Sequence, residues 1–245
     1  MKQTRRGFKG GAAFTLIEML VVIAIIGILS SLIYGSVRGV LIIVTKKQLN
    51  TECHDLELKI NRYKAAFGSY PPDNPENSAF SPLVYEVAGA VYTPANTLLA
   101  GSPPTFNRYG DGSLLTTVEV AGYFSPANQA FNNSGRNVGE IKLLQELSPE
   151  RVAKVLSNTQ TNGVQVFQTR KGITSGTNYV YVDHSQSPAV TRPWNGTGVL
   201  TDDAGLPVNV WHYRTKPPLH NPGGFDLWTV VLLGNTPTLI SNWQR

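Results

Sequence analysis

One apolar run close to the N terminus limits what this chain can form. Residues 14–34 read FTLIEMLVVIAIIGILSSLIY, with Glu18 as the single charged residue. As a helix, this run would be about 32 Å long at 1.5 Å per residue. That length matches the ~30 Å hydrocarbon core of a bilayer. The sequence therefore predicts a membrane-spanning helix over residues 14–34.

A basic segment precedes the apolar run. Residues 1–13 contain no acidic residue and four basic ones: Lys2, Arg5, Arg6 and Lys9. Because basic residues favour the cytoplasmic side of a membrane, this segment predicts a cytoplasmic N terminus. These four cations also supply most of the net charge of +5. The rest of the chain is nearly neutral, so no nucleic-acid partner is expected. A secretory signal or a plain signal anchor would share these features.

Glu18 is a residue that an ordinary signal sequence does not need. A charged carboxylate costs about 2.5–3.5 kcal/mol at the bilayer centre, and less near an interface. A cation on another chain would compensate for that cost. A cut between Ala13 and Phe14 would create such a cation, so Glu18 of one copy would neutralise the Phe14 amine of the next. The alternative is a carboxylate near the helix end that reaches the surrounding water.

Three features follow one another here: the basic leader, the hexapeptide FTLIEM at residues 14–19 and the apolar helix. In this order they resemble the type IV prepilin family, which includes the pseudopilins of type II secretion. The resemblance implies that a prepilin peptidase cuts between Ala13 and Phe14 and N-methylates Phe14. It also implies that Glu18 acts in assembly and that the chain is not an enzyme. The implied partners are copies of itself, other pilin-like subunits and an inner-membrane assembly platform. At position 13 the family usually has glycine, where this chain has alanine.

Apolar residues recur at spacings of three and four beyond the membrane run. They form one stripe on a helix: Leu49, Cys53, Leu56, Ile60, Tyr63 and Phe67. The polar residues between them, Glu52 and Glu57 included, are predicted to face solvent. Gly68 suits the position after a helix end, and Pro71–Pro72 prevents continuation. The sequence predicts one helix over residues 14–67, whose stripe covers a sheet and buries the cysteine as a small apolar side chain.

Residues 68–245 are predicted to form the globular domain outside the membrane. The expected fold is α+β and pilin-like, with the long N-terminal helix packed on a small antiparallel sheet that has long loops. Short helices are predicted from Ser81–Pro82 and from Ser148 to Leu156. Four segments have the composition of strands: 164–167, 179–182, 209–213 and 226–232. A single cysteine excludes an internal disulfide and a zinc site built on several thiolates.

The C-terminal part resembles the major pseudopilin of type II secretion. The matching features are Tyr63–Lys64, Gly68–Pro71, Thr201–Pro207, Tyr213, Asn221–Pro222, Phe225–Trp228 and Asn242–Trp243. In the proteins that this segment resembles, an acidic loop after the aspartate-bearing strand binds calcium. In this chain the acidic residues nearby are Asp226, Asp202 and Asp203. Residues 233–239 contain no carboxylate, however, and calcium prefers several charged oxygen ligands. The prediction is therefore no metal, with Asp202–Asp203 beginning a turn before Gly205.

Two functional interpretations remain. The resemblance favours a structural subunit of an inner-membrane-anchored filament, most like a type II secretion pseudopilin, with one membrane span and a periplasmic domain. The alternative is a surface type IV pilin with a role in adhesion or DNA uptake. Many surface pilins close a C-terminal loop with a disulfide, which one cysteine cannot form. An enzyme on a signal anchor has no catalytic set of residues to support it.

Overall fold

The structure is a computed structural model. It divides into two compact units, Met1–Val44 and Thr45–Arg245. The residues that it describes are 14–74, 77–89, 92–93, 105–106, 115, 120, 123, 149–155, 164–169, 180–183, 190–193, 200–201, 207–234 and 236–244.

The predicted long helix is present as α1, Leu16–Phe67, which has 52 residues. Every side chain from Phe14 to Ile33 is exposed, and nearly all of them are apolar. An apolar surface of this kind needs lipid or protein to cover it. In the part of the chain that the structure describes, one helix is long and apolar enough to cross a membrane, Leu16–Ile33.

The second half of α1 packs through the predicted stripe. The stripe residues from position 49 to 63 are at most 4% exposed, and Phe67 is half-buried. One member of the predicted solvent face differs, because Glu52 is buried rather than exposed. The helix stops at Gly68, whose φ of 77° would strain any residue with a Cβ. The Gly68 N–H donates to the carbonyl of Lys64 at 2.8 Å.

A short helical segment follows the proline pair. A 3-10 turn covers Ser78–Phe80, and the side chain of Asn77 caps it by accepting the N–H of Ala79. Helix α2 spans Leu83–Ala88 and is buried along its whole length. The prediction of a helix here is confirmed, but its start is not, because Pro82 rather than Ser81 is the N-cap residue.

Small antiparallel hairpins make up the next part of the fold. Strands β1 (Tyr92–Thr93) and β2 (Thr105–Phe106) pair with each other. The predicted helix from Ser148 to Leu156 is wrong where the structure describes it: a 3-10 turn at Pro149–Arg151 leads into strand β3, Val152–Val155. This strand pairs with β4, Val164–Phe167, a segment predicted as a strand.

The β3 segment favours a strand for a local and a tertiary reason. Val152 and Val155 are β-branched and lose rotamer freedom in a helix. Ala153 and Val155 are buried, whereas the two residues that alternate with them are half-exposed. That period of two allows one face of the strand to cover the core.

Two further hairpins follow β4. Strand β5 (Val180–Asp183) pairs with β6 (Val190–Pro193), which confirms a strand close to residues 179–182. Strand β7 (Leu200–Thr201) pairs with β8 (Pro207–Val208).

The C-terminal segment forms a three-stranded antiparallel sheet in the order β11–β10–β9. Strand β9 is His212–Arg214, β10 is Asp226–Leu233 and β11 is Thr236–Ser241. The strand predicted at 226–232 is confirmed as β10, and the one predicted at 209–213 begins three residues later. Strand β11 was not predicted. The sheet and the α1 stripe share one core, so the α+β pilin-like fold is confirmed.

Candidate functional site

Glu18 forms a local hydrogen-bonded structure at the start of α1. Its Oε2 accepts the backbone N–H of Thr15 and the Thr15 hydroxyl, both at 2.8 Å. The Thr15 Oγ1 accepts the backbone N–H of Glu18 at 3.3 Å. This reciprocal arrangement is a capping box, in which two side chains satisfy donors that the first helical turn leaves unpaired.

The role of Thr15 was not predicted from the sequence. The signal that could have found it is the spacing of a threonine and a glutamate three residues later, directly before an apolar helix. The capping box uses Glu18 Oε2. Glu18 Oε1 has no hydrogen-bond partner among the residues that the structure describes.

Of the two residues at the predicted cleavage site, the structure describes Phe14 and not Ala13. Phe14 is 71% exposed and directly precedes the capping box. Ala13 and the leader before it lie outside the described residues. The described part of the site is therefore an accessible aromatic residue next to an accessible carboxylate, on the first turn of an apolar helix.

Asp226 lies in a backbone cradle at the start of β10. Its side chain is 1% exposed. Its Oδ2 accepts the N–H groups of Leu219 at 2.5 Å and His220 at 3.0 Å, and its Oδ1 accepts the N–H of Asn221 at 2.9 Å. Both oxygens are occupied by backbone donors of one loop, so this carboxylate anchors the loop.

The other two weak calcium candidates, Asp202 and Asp203, lie outside the described residues. Within the described ranges, no group of three or more His, Cys, Asp or Glu side chains is arranged to hold a metal ion. The Asp226 geometry by itself gives a structural reason for an aspartate at the start of β10.

Residues of the C-terminal segment that looked like sequence motifs pack against one another. The Asn242 Nδ2 donates to the carbonyl of Phe225 at 3.0 Å, and its Oδ1 accepts the N–H of Leu227 at 3.1 Å. The Trp243 ring stacks on His220 with centroids 4.1 Å apart. These contacts close the end of the chain onto the start of β10.

Two acidic groups that sequence reasoning did not single out lie near the end of α1. Glu86 of α2 is fully buried, and its Oε2 accepts the hydroxyl of Tyr63 at 2.7 Å. Asp73 accepts the N–H groups of Thr215 and Lys216. Burial, helped by the charge of Asp73, raises the pKa of Tyr213 well above its usual range. The Tyr213 hydroxyl thus stays protonated and donates to the carbonyl of Pro71 at 2.9 Å.

A charged cluster joins α1 to the turn before β3. The Asp55 Oδ2 accepts Arg151 Nη1 at 2.9 Å and also pairs with Lys59. Burial acts to raise the pKa of Asp55, but the hydrogen bonds and positive charges of Lys59 and Arg151 outweigh it and lower that pKa. Arg151 itself is 9% exposed. The cluster is a structural link between two elements of the second unit.

A comparison with known families agrees with the N-terminal geometry. The family described as the prokaryotic N-terminal methylation motif matches residues 9–34, which include the described Phe14, Thr15 and Glu18. No curated protein and no solved structure matches the chain.

Proposed function

We propose that this chain is a structural subunit of a filament anchored in the inner membrane. Residues 9–34 match the N-terminal methylation motif and continue as an apolar helix, which makes the chain type IV prepilin-like. In this proposal its activity is assembly. A prepilin peptidase removes residues 1–13, the helix spans the membrane once, and the second unit lies in the periplasm. Copies of the chain and other pilin-like subunits pack through their apolar helices on an assembly platform.

The observation that carries this proposal is the exposed Glu18 on an otherwise apolar helix surface. The capping box satisfies one of its oxygens from within the same helix, and the other has no partner among the described residues. A charge held in this way gains most from a cation that another molecule brings. The amine of a processed Phe14 on a neighbouring copy would be such a cation, and Phe14 is only four residues from position 18 in the sequence.

Processing gives the first test. We expect the mature chain to begin at Phe14 with a methylated amine, and intact-mass analysis of the chain from membranes would show it. A mature chain that begins after Ser30 or Ser36 would indicate ordinary signal peptidase, and the proposal would then be wrong.

Assembly gives the second test. Glu18→Val and Glu18→Ala should insert and fold but enter filaments poorly, because a neighbour's terminal amine loses its counter-ion. Glu18→Asp should be intermediate, since the charge remains on a side chain shorter by one methylene. Filament recovery after shearing, with membrane fractionation as the control for insertion, measures this. Normal filament yield from Glu18→Val would show that the charge pair is not needed.

We further propose that this chain is a pseudopilin of type II secretion rather than a surface pilin. The support is the resemblance of the C-terminal segment, in which Asp226 and Trp243 both contact His220 and Asn242 bonds the backbone of the residues on either side of Asp226. The one cysteine, Cys53, is buried and free, so no disulfide closes a C-terminal loop. Deletion of the gene should impair protein secretion without loss of surface fibres. Loss of abundant surface fibres with normal secretion would favour the surface pilin.

A further inference from the structure

The apolar surface of α1 continues past the segment that is long enough to cross a membrane. That segment is Leu16–Ile33. Farther along the same helix, the five side chains of Val40–Val44 are all apolar and between 39% and 62% exposed. Because an α-helix has 3.6 residues per turn, five consecutive residues cover its whole circumference. A helix that is apolar on every side belongs in a bilayer or inside protein.

The helix changes character just after this second apolar segment. From Leu49 onward, one side of α1 is buried in the core and the other side is mostly polar. Lys46 and Lys47 stand at the change, and both are exposed. Lysines at the end of an apolar helix are typical of the boundary between hydrocarbon and water, because the apolar stem stays in lipid while the ammonium reaches the polar layer.

The length of this part of α1 agrees with a complete bilayer. From Leu16 to Val44 the helix is about 44 Å long at 1.5 Å per residue. The hydrocarbon core is ~30 Å thick, and the bilayer with its headgroup layers is ~40–45 Å thick. With the usual tilt of ~20°, the helix would still cover about 41 Å. Lys46 and Lys47 would therefore follow directly at the headgroup level.

The local charge favours an anionic partner. Between Glu18 and Glu52 the sequence contains three basic residues and no acidic one. No acidic residue lies three or four positions from Lys46 or Lys47, which is the spacing at which helix side chains pair. Neither lysine forms an ion pair among the residues that the structure describes. Both ammonium groups are thus available to an anion from another molecule.

The acidic side chains farther along α1 do not offset this positive charge. Glu57 pairs with His54 at 3.3 Å, and Asp55 pairs with two basic side chains. Glu52 is 9% exposed and is covered by protein. These carboxylates are engaged within the second unit, so the membrane-proximal end of that unit is basic.

We propose that Val40–Val44 lies in the bilayer together with Leu16–Ile33, and that Lys46 and Lys47 bind the phosphates of acidic phospholipid headgroups. A phospholipid supplies both parts of this contact, acyl chains for the apolar segment and a phosphate for the lysines. A second copy of the chain in register would instead bring like charges together. This inference rests on the proposed membrane insertion of α1 but not on filament assembly.

Nanodiscs that hold one copy of the full-length protein test the apolar part, because no neighbouring copy can cover the helix there. A cysteine is introduced at Ile43 or, as the exposed control, at Asn61, each in a Cys53→Ala background. A membrane-impermeant maleimide then measures how accessible each thiol is. Ile43→Cys should react at least tenfold more slowly than Asn61→Cys, and the two should react alike in the unfolded protein.

Headgroup binding is measured with a fluorophore on Ile43→Cys in nanodiscs of phosphatidylcholine and phosphatidylglycerol in equal amounts. One of the two lipids carries brominated acyl chains, which quench a fluorophore that they contact. Brominated phosphatidylglycerol should quench at least twice as strongly as brominated phosphatidylcholine. Lys46→Gln combined with Lys47→Gln should make the two equal. Arg62→Gln combined with Lys64→Gln removes the same charge farther along α1 and should leave the preference unchanged.

The outcomes separate this inference from the proposed function. Protein that does not co-elute with the nanodiscs would refute membrane insertion, and with it both proposals. Rapid reaction of Ile43→Cys in protein that stays inserted would overturn this inference alone. So would protection of that thiol in assembled filaments only, because a second copy would then cover the segment. Equal quenching by the two lipids in the wild type, or the same loss in both double variants, would overturn the headgroup contact.

Discussion

Replacement of Asp226 by asparagine tests whether this carboxylate anchors the end of the fold. The side chain is 1% exposed, and its two oxygens accept the backbone N–H groups of Leu219, His220 and Asn221. An amide keeps one oxygen and places an NH₂ group where the other oxygen was. One of the three backbone N–H groups would then face the amide NH₂ group, which is also a hydrogen-bond donor.

The expected cost has two parts. A hydrogen bond to a charged acceptor is worth about 1.5–3 kcal/mol, and a buried donor left unsatisfied costs about 1–3 kcal/mol. Together they lower the free energy of unfolding by about 2.5–6 kcal/mol. At 2–4 °C per kcal/mol for a domain of 150–250 residues, Tm should fall by roughly 5–24 °C.

Thermal unfolding of the full-length protein in detergent, followed by tryptophan fluorescence, measures this effect. Trp243 stacks on His220 and reports directly on the anchored loop. Glu150→Gln is the control on an exposed carboxylate and should change stability by about 0.5 kcal/mol or less. A Tm of Asp226→Asn within about 2 °C of wild type would contradict the anchoring role.

The same assay separates an anchor from a calcium ligand. The backbone donors already occupy both Asp226 oxygens, so millimolar calcium or a chelator should leave the wild-type Tm unchanged. A rise of several degrees with calcium that Asp226→Asn abolishes would show that the carboxylate binds the ion instead.

Two further predictions concern α1. Leu56→Ala or Ile60→Ala should lower the free energy of unfolding by about 2–5 kcal/mol, because both side chains are fully buried. In the same denaturant titration, Glu57→Ala should cost less, because it removes a partly exposed pair with His54 worth about 0.2–1 kcal/mol, and equal losses at positions 56 and 57 would contradict the stripe. The pKa of Asp55 is lower in the folded state, so its contribution is present above the unfolded pKa of about 3.9. This stabilisation should be lost as the pH falls through the folded pKa. When the free energy of unfolding is measured from neutral to acidic pH, its decrease should be smaller in Asp55→Asn than in the wild type, and an equal decrease in both would contradict the role of Asp55.

The sequence was most informative where structure depends on local repetition. The stripe from Leu49 to Tyr63 repeats over several helical turns, and each buried residue supports the same helical phase. Gly68 and the proline pair mark the helix end by backbone sterics alone. The N-terminal match at residues 9–34 rests on the same local kind of signal.

The strands depend on partners that are distant in sequence, and that is where prediction failed. A Ser-Pro-Glu-Arg start favours a helix locally, but Val152–Val155 gains an antiparallel partner in Val164–Phe167 and buries Val155 in the core. Strand β11 contains Pro237, which argues against a central strand. At a sheet edge the same proline is tolerated, and the edge position follows only from the tertiary fold. Glu52 is buried for a similar reason, since helical periodicity alone does not show how far the rest of the chain covers the flank of the stripe.

The capping box connects the energetics of the single chain with those of the proposed filament. A helix cap contributes about 0.5–2 kcal/mol, whereas a carboxylate costs about 2.5–3.5 kcal/mol at the bilayer centre and less near the interface. The cap alone therefore offsets part of the cost of placing Glu18 in a membrane, and we expect the remainder to favour pairing with a cation. Because the cap uses Oε2, an amine of a neighbouring copy would bind at Oε1 without breaking either Thr15 hydrogen bond. Thr15 would thus hold the carboxylate in position for a partner instead of competing with it.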